Sequence, residues 1–188
     1  MRAASRARMN SAVSTAPPAD FAPWSRWFWP AAATVFASDQ ASKWWLFSRP
    51  PGTRFPESIR LAYNKGVAWS IGSGAPVVVA VLTVVLIPIL AWVWWTRFRG
   101  LGAWENLAFG LILGGAVGNA VDRACATVGW FGMQGVRDFI NVDLGFVPFH
   151  PWPTFNIADS GITGGFLVLV ALSLRQPRAT TPTAVPDR

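Results

Sequence analysis

The sequence is poor in the residues from which most metal and nucleophilic sites are made. Its 188 residues include one cysteine, Cys125, one histidine, His150, and one tyrosine. A lone cysteine excludes a disulfide within the chain, and a lone histidine excludes zinc-finger and HExxH arrangements. Only carboxylates remain to hold a metal, and they suit hard cations alone. There is no Gly-x-Ser-x-Gly elbow and no Cys–His pairing, which removes two common nucleophile templates. Ser42 and Lys43 are adjacent, so on a helix they face different directions and make a poor nucleophile pair. Charge is scarce as well, at 13% of residues, nine acidic against 16 basic for a net +7. The Lys and Arg flank apolar runs and form no stripe interleaved with aromatics. That argues against nucleic acid and for a membrane carrying anionic lipid.

What the chain has in plenty is apolar surface. Hydrophobic residues make up 52%, with 12 Trp and 13 Phe. Four apolar runs stand at about 27–47, 75–96, 104–121 and 157–174. Each is near the roughly 20 residues that cross a bilayer as a helix. The expected fold class is therefore an all-α integral membrane protein of four transmembrane helices. Pro88 is expected to kink the second run, and Trp at the ends of the first two fits an aromatic belt. Gly114, Gly115 and Gly118 in the third run, and Gly161, Gly164 and Gly165 in the fourth, permit close helix contact. The first run also has the features of a cleaved signal peptide, with "VFA" as the cleavage site. Against that, apolar residues resume at "WWLF" after Lys43. Residues 1–23 and 176–188 read as disordered tails, leaving 24–175 as the folded domain. The short basic link "RFRGLGA" between the second and third runs places itself and both tails in the cytoplasm.

Two long connections, 48–74 and 122–156, remain. "SIRLAYNKGVAWSIG" alternates on both sides of Asn64-Lys65-Gly66, as a hairpin would. "RDFINVDLGFVPFH" alternates with a break at Gly145. A small β-containing extracytoplasmic region is expected from both.

Antiparallel helices bring the end of the first run, the start of the second, the end of the third and the start of the fourth to one side. The awkward polar residues lie there: Asp39 and Lys43, then Asn119, Asp122 and Arg123, then Asn156 and Asp159. Both long connections, with Asn64 and Asp138, emerge on that side too. Each residue has an ordinary reading. Asp39 and Lys43 are spaced i, i+4 as a structural ion pair, and Asp122–Arg123 can anchor a helix end. Asn119 and Asn156 can be interhelical hydrogen-bond partners, and Asp138 a solvated turn residue. Asp159 resists such a reading, because its own run offers no basic residue within a helical turn and a carboxylate at membrane depth is costly. Two Asp residues held close share a proton and can act as general base and general acid. A proton- or ion-coupled transporter would use the same residues, although the two halves of the chain show no repeat.

"DQASKWW", "NKGVAWSIG", "GGAVGNAVDR", "VRDFI" and "WPTFNIADSGI", spread over about residues 30–175, resemble the lipoprotein signal peptidases (signal peptidase II) in order and helix context. The resemblance implies a monomeric aspartyl endopeptidase of the bacterial inner membrane that needs no cofactor. Its partners would be membrane lipid and prolipoproteins carrying diacylglyceryl, cut just before the lipidated Cys. It implies Asp138 and Asp159 as the catalytic pair. Asn64, Asn119, Arg123 and Asn156 would hold the substrate, and Asp39, Lys43 and Asp122 would be supporting residues. One departure is Arg137, which stands where the family usually has an apolar residue. Alternation along a strand points it away from Asp138, and it is expected to face water.

Overall fold

The computed structural model describes residues 23–66, 71–143, 145 and 152–175. The two expected tails lie outside the described residues, apart from Pro23. After a 3-10 turn at Pro23–Trp27 come four helices: α1 (Phe28–Phe47), α2 (Pro76–Val93), α3 (Ala103–Thr127) and α4 (Ile157–Arg175). Two short strands, β1 (Ile59–Asn64) and β2 (Val136–Ile140), occupy the long connections. The helices coincide closely with the four apolar runs. α2 runs through Pro88 and ends in a π turn, Trp94–Phe98.

α3 is the hub, packing on α1, α2 and α4. Adjacent glycines make this close approach achievable. A side chain at Gly114 would strike the backbone of Ala32 on α1, and one at Gly115 the backbone of Ala158 on α4, both closer than 3.0 Å. The buried face of α1 is Phe28, Ala31, Val35, Asp39, Lys43 and Leu46, a helical stripe that turns from apolar to ionic towards its C-terminus. α2 buries only Val79 and Ala80, and exposes Val77, Val81, Leu82 and Val85 among others. An apolar surface of that extent suits a non-aqueous neighbour.

Two segments, Pro76–Phe98 and Ile157–Arg175, are long and apolar enough to cross a membrane. α1 and α3 are less apolar over the same length, with Asp39, Gln40 and Lys43 in the first and Glu105, Asn106, Asn119, Asp122 and Arg123 in the second.

The hairpin expected about Asn64-Lys65-Gly66 is not what pairs the strands. β1 pairs antiparallel with β2, with Ala62 opposite Asp138, Tyr63 opposite Arg137 and Asn64 opposite Val136. Residues 67–70, the start of the expected second arm, lie outside the described residues, as do 144 and 146–151. The turn itself is present, with Asn64 Oδ1 accepting the Gly66 N–H at 3.0 Å. Phe155 continues the sheet by exchanging backbone hydrogen bonds with Ile140 at 2.8 and 3.1 Å, so the sheet leads directly into α4.

Candidate active site

Four aspartates meet at one end of the bundle: Asp39 on α1, Asp122 on α3, Asp138 on β2 and Asp159 in the first turn of α4. The first three are buried and Asp159 is partly so. They divide by partner. Lys43 Nζ lies 2.7 Å from Asp39 Oδ2 and 3.3 Å from Asp122 Oδ2, while Arg137 Nη2 lies 2.7 Å from Asp122 Oδ1. Asp138 and Asp159 are held by amides. Asn156 Nδ2 donates to Asp138 Oδ1 at 2.7 Å, and Asn119 Nδ2 to Asp159 Oδ1 at 2.8 Å. Asn64 adds a side-chain hydrogen bond to Asp138. Among the described residues no ion pair reaches either of these two carboxylates.

Local sequence explains how Asp159 is held. Asn156 caps α4: its Oδ1 accepts the Asp159 N–H at 2.9 Å, and Asp159 Oδ2 accepts the Asn156 N–H at 3.2 Å. This is a reciprocal capping box built from Asn and Asp. Asp39 Oδ1 takes the next orphan donor, the Ala158 N–H, at 3.0 Å. α1 thus fixes where α4 begins. Asp138 is placed by strand pairing and is 1% exposed. Burial pushes its carboxyl up to about 7, and the nearby Asp159 charge adds to the rise; bonds from Asn156 and Asn64 and the charge of Lys43 oppose it without cancelling it. Around neutral pH Asp138 is therefore divided between its acid and base forms, beside a second carboxylate. Such a pair can take a proton from one reacting group and give one to another.

The structure joins eight of the nine residues named from sequence into one network of side-chain hydrogen bonds and ion pairs, Asn64 through its bond to Asp138. Lys43 Nζ and Asn156 Nδ2 both donate to Asn119 Oδ1, each at 3.1 Å, linking the ionic half to the amide-held half. Asn64 and Arg123 stand at the rim, and Arg123 Nη1 reaches the network through the Asn119 carbonyl, at 3.4 Å. Arg123 Nη2 donates to Gly66 O at 2.9 Å, tying the loop after β1 to α3. With Lys65, Val77 and Gln134 they line an open cleft of about 360 Å³. Asp122 and Arg123 do not end a helix, because α3 continues to Thr127. Asp39 and Lys43 form the i, i+4 pair that their spacing suggests.

The expectation for Arg137 is overturned as well. Arg137 does not face water; its side chain is 14% exposed. Alternation does turn it away from Asp138, but the far side of β2 is packed on α1 and α3. There it meets Asp122 and Gln40, with Nη2 donating to Gln40 Oε1 at 3.0 Å. Its charge is spent on Asp122, so it does not hold the Asp138 carboxyl down. Sequence reading also passed over Gln40. Its Nε2 donates to Asp39 Oδ2 and Gly118 O, both at 3.1 Å. The available signal was an amide between Asp39 and Lys43 in an otherwise apolar run.

The sequence signature of signal peptidase (SPase) II matches residues 31–175. The chain is similar to the lipoprotein signal peptidase of Mycobacterium avium, at 35% identity over 150 residues, covering 76% of each chain. It is 35% identical over 153 residues to that of Psychromonas ingrahamii, covering 77% of this chain and 82% of the relative. A third match, to the lipoprotein signal peptidase of Mycolicibacterium smegmatis, is 40% identical over 115 residues and spans 44% of that protein. Among solved structures, a bacterial membrane enzyme determined by the in meso method at 2.3 Å superposes with a TM-score of 0.65 at 25% identity, covering 84% of this chain and 93% of that one. With that signature covering most of α1 and the whole of α2, α3, α4 and both strands, the chain belongs to the signal peptidase II family.

Proposed function

We propose that this protein is an aspartyl endopeptidase that removes signal peptides from diacylglyceryl-modified bacterial prolipoproteins, cutting just before the lipidated Cys, with Asp138 and Asp159 as its catalytic pair. One observation carries the reading. Of four clustered carboxylates, two are matched with cations and two are held only by amides. A carboxylate locked to a cation stays ionised and is a poor proton carrier. One held by neutral donors can change protonation state within the site.

In the proposed reaction, one Asp of the pair takes a proton from a water that attacks the scissile carbonyl. The other, protonated, donates to the carbonyl oxygen, and the proton then passes to the leaving amine. Asn64 and Arg123, on the cleft, bind the substrate backbone; Asn119 and Asn156 orient the carboxylates and the lipidated residue. Asp39, Lys43 and Asp122 support the site. No cofactor enters. All four helices cross the inner membrane with both termini in the cytoplasm, the exposed face of α2 meets lipid, and the chain works as a monomer.

The test is incubation of purified protein with a diacylglyceryl-modified precursor peptide and its unmodified twin. Cleavage of the first alone is expected. Asp138→Asn and Asp159→Asn keep the shape of the side chain but cannot transfer the proton. Each should fold and lose turnover on the order of 10⁴-fold or more, and the double variant should be little worse than either single one. Near-normal turnover in either folded variant removes that residue from the pair. Proton-coupled flux in liposomes without cleavage would replace the peptidase reading with a transporter.

A further inference from the structure

Among the described residues, the strand that carries Asp138 belongs to a two-stranded sheet, an element that is marginal by itself. Phe155 and Asn156 tie it to α4, and its tie to α3 runs through the residue next to the aspartate. Asp122 Oδ2 accepts the Arg137 backbone N–H at 2.9 Å and Nε at 3.3 Å, and Asp122 Oδ1 accepts Nη2 at 2.7 Å. One buried carboxylate of α3 thus grips both the main chain and the side chain of the residue preceding Asp138. A planar guanidinium makes this grip directional in a way an ammonium does not.

Charge points the same way. Asp39 and Asp122 face Lys43 and Arg137, two carboxylates to two cations, with side chains 0% exposed except for Arg137. Without Arg137, Lys43 alone would serve both carboxylates, and a buried uncompensated charge is costly. Lys43 also donates to Asn119 Oδ1, and Asn119 holds Asp159. The contacts close a ring: from Asp138 along the chain to Arg137, then Asp122, Lys43, Asn119, Asp159, Asn156, and back to Asp138. Arg137 is the member that joins the ionic cluster to the strand.

We propose that Arg137 is a positioning residue, which clamps β2 onto Asp122 and completes a charge-matched cluster, so fixing Asp138 relative to Asp159. This rests on the reading of those two aspartates as the catalytic pair.

The test compares Arg137→Val, Arg137→Gln and Arg137→Lys with wild type, using the full chain in detergent and the lipidated precursor peptide. A misplaced acid pair lowers kcat, by about ten- to a hundredfold, and leaves KM within about twofold. Arg137→Lys should recover part of that loss. Because Arg137 acts through Asp122, adding Arg137→Gln to Asp122→Asn should cost little beyond Asp122→Asn alone. If Arg137→Val fails to fold, Arg137→Gln is read in the same way. Folded variants with wild-type kcat overturn the proposal, as do Arg137→Gln and Asp122→Asn losses that simply multiply. Failure of wild type to cleave would be a failure of the peptidase reading. The clamp is then decided by hydrogen exchange: Phe139 and Ile140 amides should lose protection in Arg137→Gln, and unchanged protection overturns it.

Discussion

At the end of the bundle away from the aspartates, the buried polar side chains among the described residues are neutral, Ser25 and Asn106. Asn106 is fully buried; its Oδ1 accepts the Trp94 indole N–H at 2.9 Å and its Nδ2 donates to Gly102 O at 2.9 Å. Phe28 stacks on Trp94 at 3.6 Å, and the corner closes on apolar contact. At the other end four carboxylates, a lysine and an arginine are drawn together by the same helices. Joining α1, α2 and α3 therefore requires little polarity and no charge. The architecture alone does not account for the ionic end; the proposed catalytic pair, which needs two amide-held carboxylates close together, would.

The largest effect that sharpens this contrast is expected at Lys43. Lys43→Ala strips two buried carboxylates of a shared cation and should destabilise the protein by about 3–5 kcal/mol, read by denaturant unfolding in detergent. A variant that folds with normal stability yet cleaves nothing would move Lys43 from support to chemistry.

A smaller effect, with a defined sign, belongs to Asp138. Unfolded, its carboxyl titrates near 3.8; folded, at about 7. Between those values the folded state binds more protons than the unfolded, so this group's contribution makes stability fall as pH rises through that window. Asp138→Asn removes the effect. The variant should gain on wild type as pH rises through that window, by at most about 1.4 kcal/mol for each step of one in pH. Thermal melts of both proteins across that range check it. Parallel curves would mean that Asp138 titrates as an ordinary carboxylate.

The least effect is expected at the neutral end. Asn106→Ala leaves the Trp94 indole N–H unpaired, for a loss of about 1–3 kcal/mol. Cleavage per folded molecule should not change. A fall in kcat there would erase the functional distinction between the two ends.

Much of this arrangement is legible in the residues themselves. Apolar runs located the helices to within a few residues, because helix length and side-chain hydropathy are local properties. The exception is α3, which passes the apolar run and continues to Thr127. There Asp122 finds cations and Arg123 finds the Gly66 carbonyl, so charge does not stop the helix. The spacing of Asp39 and Lys43 foretold their pairing, since both partners ride on one helix. Strand pairing was harder to foresee. A period of two marks β1 and β2 but does not name the partner, and an adjacent arm looked as suitable as a distant one.

Which segments are helical, which residue types stand at the polar end, and that alternating helices gather them there can all be read from the order of the residues. How those residues divide emerges with the packed fold: Asp39 and Asp122 to cations, Asp138 and Asp159 to amides, Arg137 inward. Periodicity reports which way a side chain points from its own backbone. What it meets there is set by elements distant in the chain, and in a buried cluster the partner decides whether a carboxylate is a fixed charge or a carrier of protons.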